Sequence, residues 1–285
     1  MKQQSVKRAA EILEPVKSYV QQCWNSPKRY HVFCLVEGEF DKHIYEERLN
    51  NRVIEVKIAA DDRLNHNRSS VQYLVEDLRK LHPNGRFIGI RDRDYMALLG
   101  QACPNGIYVT DKRDLEMMIL ASSSCQTSDP NLVSLLSVVF PYCVLLAYIR
   151  VYAESRNLRN KVNDKMNIAV VYNQQTKTFV TDAKATLHDI YVGKVDPASS
   201  SANIDSFVVS ENLTSNSPYD ICRGHDVIGL LEFVYGKTYS KSEMEKKMES
   251  SYDRTDFYNT KLFADISNYC GAYNIDAHVN NLKRS

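Results

Sequence analysis

The sequence predicts an α/β protein: a parallel sheet flanked by helices, then a mainly helical C-terminal region with a small β-hairpin. Three observations point there. Residues 31–121 alternate short β-rich runs with stretches of helical period. From 121 to about 155 the chain turns helical and loses almost all charge. Two further β-rich runs, 168–172 and 178–181, are joined by a polar turn.

The elements follow in order. Ala9, Ile12, Leu13, Val16, Val20 and Trp24 fall near helical spacing, with Pro15 inside the pattern and Asn25-Ser26-Pro27 ending it. His31–Val36 (HVFCLV) is a short apolar run of the kind that makes a buried strand. Phe40, Ile44, Tyr45 and Leu49 share one side of a helix. Val53–Ala59 alternates apolar and polar residues as a strand. Val71, Leu74, Val75, Leu78 and Leu81 mark an amphipathic helix, capped near Asn67 or Ser69. FIGI (87–90) and Ile107–Val109 are two more strands, and Asp111 is placed to cap a helix through Leu115, Met118 and Ile119.

The uncharged region reads as two buried helices meeting at Pro141, because an interior proline kinks or ends a helix. Residues 196–219, rich in Ser, Asn, Asp and Pro, read as a long loop. Arg223–Tyr235 is helical, Ser240 with Glu243 forms a capping box, and Phe257–Tyr269 is a last amphipathic helix. The expected organisation is an N-terminal helix (1–28), an α/β core (29–125) and a helical C-terminal region (126–285) packing on it.

Length and composition set limits. The 285 residues, at about 150 per domain, suggest two compact units. With 44% apolar and 25% charged residues the chain is neither disordered, nor collagen, nor a small disulfide scaffold. Thirty-six basic against 35 acidic residues leave a net charge of +1, so bulk charge does not announce nucleic acid. The seven cysteines are scattered without zinc spacing, which reads as small core residues in a reduced compartment. The N-terminus lacks an apolar signal core, and a cytoplasmic protein is expected. Residues 130–149 carry no charge and approach the length of a membrane span, but Pro130, Pro141, Asn131, Ser134 and Ser137 favour buried helices and no membrane.

In open α/β sheets functional groups gather beyond the carboxyl ends of the strands. After the first strand comes Glu37-Gly38-Glu39-Phe40-Asp41, after the third Asp92-Arg93-Asp94, and after the fourth Asp111-Lys112-Arg113-Asp114-Leu115-Glu116. Asp61 and Asp62 lie further into the loop after the second. Crowded anions repel and resist desolvation, and a cation relieves both. Oxygen ligands without nearby Cys or His favour Mg²⁺, Mn²⁺ or Ca²⁺. Asp92 and Asp94 would face one way if the backbone stayed extended past the strand. Acidic residues at helix starts also simply cap helices, and Asp111 and the surface residue Glu39 fit that blander role.

These residues carry a family resemblance. VFCLVEGEFDKHIY resembles the first Toprim motif, a strand ending in Glu, and FIGIRDRDY resembles the second, a strand ending in Asp-x-Asp. Asp41 is similar to the E-G-x-x-D form of the OLD-type nucleases, and IYVTDKRDLEMMIL resembles their next acidic element. The nearest functional relatives implied are the Toprim effector nucleases of PARIS-type anti-phage systems. The resemblance covers about residues 30–121 and implies a Toprim, Rossmann-like core.

It further implies metal-dependent hydrolysis of RNA or DNA with two Mg²⁺ or Mn²⁺ ions. Glu37, Asp41, Asp92, Asp94, Asp114 and Glu116 would be the ligands, and Glu37, Asp92, Asp94 and His225 the catalytic set. His225 stands where the family's basic residue is expected to be Lys. Arg91, Arg93 and Lys112 would contact substrate, with Lys42, Arg63, Arg68 and Arg113 as further phosphate candidates. The chain has no G-x-x-x-x-G-K-[ST] loop, so the resemblance implies a separately encoded ATPase regulator. A homodimer is compatible with it. A non-catalytic Toprim-like binding or sensor module, and a primase-like nucleotidyl transferase, are the alternative readings.

Overall fold

The computed structural model describes residues 16–59, 68–158, 166–195 and 200–279. In chain order they form α1 (Val16–Trp24), β1 (Val32–Val36), α2 (Glu39–Arg48), β2 (Ile54–Ile58), α3 (Arg68–Leu81), β3 (Arg86–Arg91) and β4 (Ile107–Val109). Then come α4 (Leu115–Leu120), α5 (Ser123–Ser128), α6 (Pro130–Ser155), β5 (Tyr172–Asn173), β6 (Thr178–Phe179), α7 (Ala183–Val195) and α8 (Ser201–Ser210). The chain ends with α9 (Pro218–Ile221), α10 (Gly224–Tyr235), α11 (Lys241–Ser251), α12 (Arg254–Tyr258) and α13 (Lys261–Gly271). The residues divide into two compact units, each gathered from separate stretches. One holds the described residues up to Asp92, Ala102–Thr110 and those from Phe257 onward; the other holds the described residues of 93–101 and 111–256.

The first unit is a parallel sheet of order β2-β1-β3-β4. All five residues of β1 are buried, which is why it reads as an unbroken apolar run. β2 alternates instead, because it is an edge strand with one face turned to polar partners. There Glu55 accepts hydrogen bonds from Tyr19 Oη (2.8 Å) and pairs with Lys28 Nζ (2.8 Å). Burial raises the Glu55 carboxyl, but Lys28, Tyr19 and His31 outweigh it and hold the group below its usual range. One face of the sheet packs Phe33, Leu35 and Phe87 under α1 and α3, through Val16, Val20, Val71, Leu74 and Leu78. Gly89 makes the close approach of α3 feasible: a Cβ there would lie 2.5 Å from Val71 Cγ1. α2 packs beside β2 and α13 beside β4. The segment after α13 returns to the strand ends, where Asn50 donates to the Asp276 carbonyl at 3.0 Å.

The second unit is helical and built around α6, which packs against α7, α8, α9 and α10. The expected break at Pro141 does not occur: α6 is one helix of 26 residues with Pro141 inside it. Proline forfeits one backbone bond, but Ser137 and Pro141 are both exposed, so that bond is lost on the outer side of the helix and not in the core. By length and composition α6 is the one helix among the described residues able to cross a membrane. In the structure it buries Leu132, Leu136, Val139, Leu146 and Ile149, and its Arg150 pairs with Asp226 at 3.2 Å.

Three other expectations are corrected. The long loop over 196–219 contains α8 and α9, since Ser, Asn and Pro also start helices. Asn203 accepts from the Ser200 N–H at 3.3 Å, and Ser217 caps α9 with Pro218 at its first turn. The hairpin exists but is two residues deep, because Ile168–Val171 forms a 3-10 turn. The Asn167 side chain takes the Ala169 N–H at 2.8 Å and so closes that turn. The region from Phe257 splits into α12 and α13, with Thr260 capping the latter. The N-terminal half of the first predicted helix, the Asn67 expected to cap the amphipathic helix over 71–81, and Asp61, Asp62 and Arg63 lie outside the described residues.

Asp129 caps α6, its Oδ1 accepting the Leu132 N–H at 3.0 Å and its Oδ2 pairing with Lys247 at 3.0 Å. Burial alone would raise its pKa; Lys247 and the backbone bonds outweigh that and hold it below the ordinary 3.8. A lowered folded-state pKa contributes stability above the unfolded value and loses it as pH falls through the folded one. Asp129→Ala should therefore cost about 1 kcal/mol at neutral pH. Urea titrations should show the difference shrinking on acidification below 3.8. A difference unchanged in acid would assign the effect to packing rather than to the charged cap.

Candidate active site

The chain runs from β1 outward to β2, then returns to place β3 on the other side of β1. The gap beyond the carboxyl ends of β1 and β3 is thus the topological switch point, where open α/β sheets bind ligands. Glu37 follows β1 and Asp92 follows β3, so the order of strands places the two acids side by side. The Asp92 N–H donates to Glu37 Oε1 at 3.3 Å. Asp41 sits in the first turn of α2, and its Oδ2 lies 3.3 Å from where a Gly38 Cβ would be. A helix start favours both carboxylates. Glu37, Asp41, Arg91 and Asp92 are all half-buried, whereas Glu39 faces solvent.

The remaining expected residues belong to the helical unit, and Arg113 organises them. Its Nη2 pairs with Asp94 Oδ1 at 2.9 Å and its Nη1 with Asp114 Oδ2 at 3.0 Å. Its guanidinium lies over the Tyr95 ring, 4.7 Å from the centroid. Burial disfavours the Arg113 charge, but Tyr95, Asp94 and Asp114 more than compensate and drive its pKa further up. The backbone does not stay extended through Asp92-x-Asp94. Asp94 has a φ of +51° and its N–H donates to the Arg113 carbonyl at 2.8 Å. The alternation expected for the two aspartates therefore fails at the turn.

Asp114, not Asp111, caps α4. Its Oδ1 accepts from Met117 N–H (3.0 Å) and its Oδ2 from Gly224 N–H (2.8 Å). Both carboxylate oxygens of this buried residue are thus engaged by the protein. Glu116, in the first turn of α4, pairs with His225 Nε2 at 3.3 Å. Gly224 makes that pairing feasible, since a Cβ would sit 2.6 Å from Glu116 Cβ and 2.9 Å from Asp114 Oδ1. His225 is exposed, while the next residue, Asp226, is buried and held by Arg150. Burial raises the Asp226 carboxyl against the pull of Arg150, Arg223 and Arg113.

Two of the expected substrate contacts already have an acidic partner. Asp220 on α9 pairs with Arg93 at 2.7 Å and with Lys112 at 3.3 Å. Asp220 and the organising role of Arg113 were not read from the sequence. Asp220 lies one residue beyond the stretch that reads as a loop, and Arg113 reads as one more phosphate contact. The seven cysteines are free thiols, six of them buried, as expected for core residues. No protein-family model matches the chain, and no curated protein matches it.

Chemically, Glu37 and Asp92 bring carboxylate oxygens to the switch point, with Asp41 in the first turn of α2, and oxygen donors are the kind a hard divalent cation takes. The Glu116–His225 pair sets a carboxylate against an exposed imidazole.

Proposed function

We propose that the protein is a divalent-metal-dependent nuclease of the Toprim/OLD-like kind, hydrolysing phosphodiester bonds of RNA or DNA. The observation that supports this most is the pair Glu37 and Asp92 at the switch point of a parallel sheet. Glu37, Asp41 and Asp92 would hold Mg²⁺ or Mn²⁺. A bound metal would activate a water and stabilise the negative charge developing on the leaving oxygen.

The chain's own groups do the rest. His225, oriented by Glu116, donates a hydrogen bond or proton to a phosphate oxygen. Asp114 acts as a positioning residue, holding α4, Arg113 and the start of α10 together. Arg91 contributes positive charge at the end of β3, and Arg93 and Lys112 contribute it within the helical unit, balanced by Asp220. In this reading the protein is a cytoplasmic effector of anti-phage defence, restrained by a separately encoded ATPase.

Incubation of the full chain with total RNA and with plasmid DNA tests the reading. Cleavage is expected with Mg²⁺ or Mn²⁺ and none with EDTA, the ATPase partner being added where the chain alone is restrained. Absence of cleavage of every substrate with metal and active partner would remove it.

A further inference from the structure

The helical unit has an open cavity of about 580 Å³ that none of the candidate metal ligands lines. That is the size of a small-molecule site. Its lining includes three basic residues: Arg223 precedes α10, His225 lies in its first turn and pairs with Glu116 at 3.3 Å, and Lys241 begins α11 and pairs with Glu245 at 3.6 Å. It also includes the apolar residues Met166 and Ile168. The single acid in the lining, Asp226, is countered by Arg150 at 3.2 Å. The cavity therefore combines basic groups with a thioether and an aliphatic side chain. That pairing suits a ligand with an anionic end and a flat apolar body.

From this we infer that the cavity holds one nucleotide of a single-stranded nucleic-acid chain. Its phosphate sits on Arg223, His225 and Lys241, and its base on Met166 and Ile168. The inference rests on the nuclease reading and deepens it, because His225 belongs to both. A base enters such a cavity only when it is unpaired, since in a duplex it is stacked and covered. Asn167, also in the lining, uses its amide oxygen on the Ala169 N–H at 2.8 Å. Its NH₂ is the group left to meet a base carbonyl.

Gly229 supplies a clean test. It lines the cavity in the middle of α10, and a Cβ added there meets nothing within 4 Å. Gly229→Leu should fill the cavity while favouring the helix, so the fold is kept. Binding of a labelled 12-nucleotide single strand, as RNA and as DNA, is measured by fluorescence anisotropy on the full chain in EDTA. Gly229→Leu and Lys241→Glu should each weaken binding about tenfold. Lys241→Ala should reduce the slope of log affinity against log salt by about 0.7, the value of one lost phosphate contact on a single strand.

Wild-type affinity in both Gly229→Leu and Lys241→Glu would overturn the inference, as would a wild type that binds no single strand. Equal binding of a duplex, or full displacement by micromolar nucleoside monophosphate, would overturn it in favour of another ligand. Binding through the cavity with no cleavage in Mg²⁺ or Mn²⁺ and active partner would remove the nuclease reading and leave this one standing. Cleavage by a chain whose variants bind normally would do the reverse.

Discussion

Glu37→Gln should lower metal-dependent cleavage by about a thousandfold, equivalent to about 4 kcal/mol of transition-state stabilisation. The substitution keeps the length of the side chain and an oxygen able to accept the Asp92 N–H, so the turn between β1 and α2 has no reason to move. What it removes is one negative charge from a set that includes Asp41 and Asp92. Without metal, that removal relieves repulsion. The thermal midpoint should therefore stay level or rise slightly while activity disappears. Calorimetric titration with Mn²⁺ should show weakened binding in the same variant. Glu39→Gln is the matched control: Glu39 lies two residues on, exposed on α2, and its variant should cleave as wild type does. A Glu37→Gln protein cleaving at the wild-type rate would defeat the metal site.

The contrast between these neighbours shows what a sequence makes legible. β1, β2, β3 and β4 are each local: a run of apolar or alternating residues closes against the same kind of run, and period and composition carry that information. The placement of Glu37 and Asp92 was legible for the same reason, because each directly ends such a run. What the sequence hid depends on distance along the chain. Asp220 meets Arg93 and Lys112 across more than a hundred residues, from a stretch whose Ser, Asn and Pro serve loops and helix starts alike. The depth of the hairpin turned on one amide, Asn167, competing for the backbone. Pro141 was weighed as a breaker, but the cost of proline depends on whether its freed carbonyl faces solvent, which only packing decides. The return of the chain after Phe257 to the sheet unit leaves no local trace at all.

Arg113→Leu should destabilise the helical unit by about 3–5 kcal/mol, the usual result of removing one member of a buried charge group. The reason is the fate of what remains. Asp94 and Asp114 would keep their charges and lose the guanidinium at 2.9 and 3.0 Å, and Tyr95 would lose the cation over its ring. Asp114 would still accept from Met117 and Gly224, so α4 and the start of α10 should loosen rather than come apart. Arg113→Lys separates charge from shape. A lysine keeps the charge but cannot bridge two carboxylates with a planar fork, so its loss should be smaller yet measurable by thermal unfolding. Adding Asp94→Asn to Arg113→Leu should recover part of the loss, because the uncompensated anion is gone. The two effects should then fail to add, by an amount a double-mutant cycle reads directly. If Arg113→Leu costs under about 1 kcal/mol, the scale of an exposed pair, Arg113 is not the residue that organises the unit. With the larger loss, the positive φ of Asp94 has its explanation. The turn forms because the Arg113 backbone carbonyl takes the Asp94 N–H while the Arg113 side chain takes the Asp94 carboxylate, so one residue fixes the other from both ends.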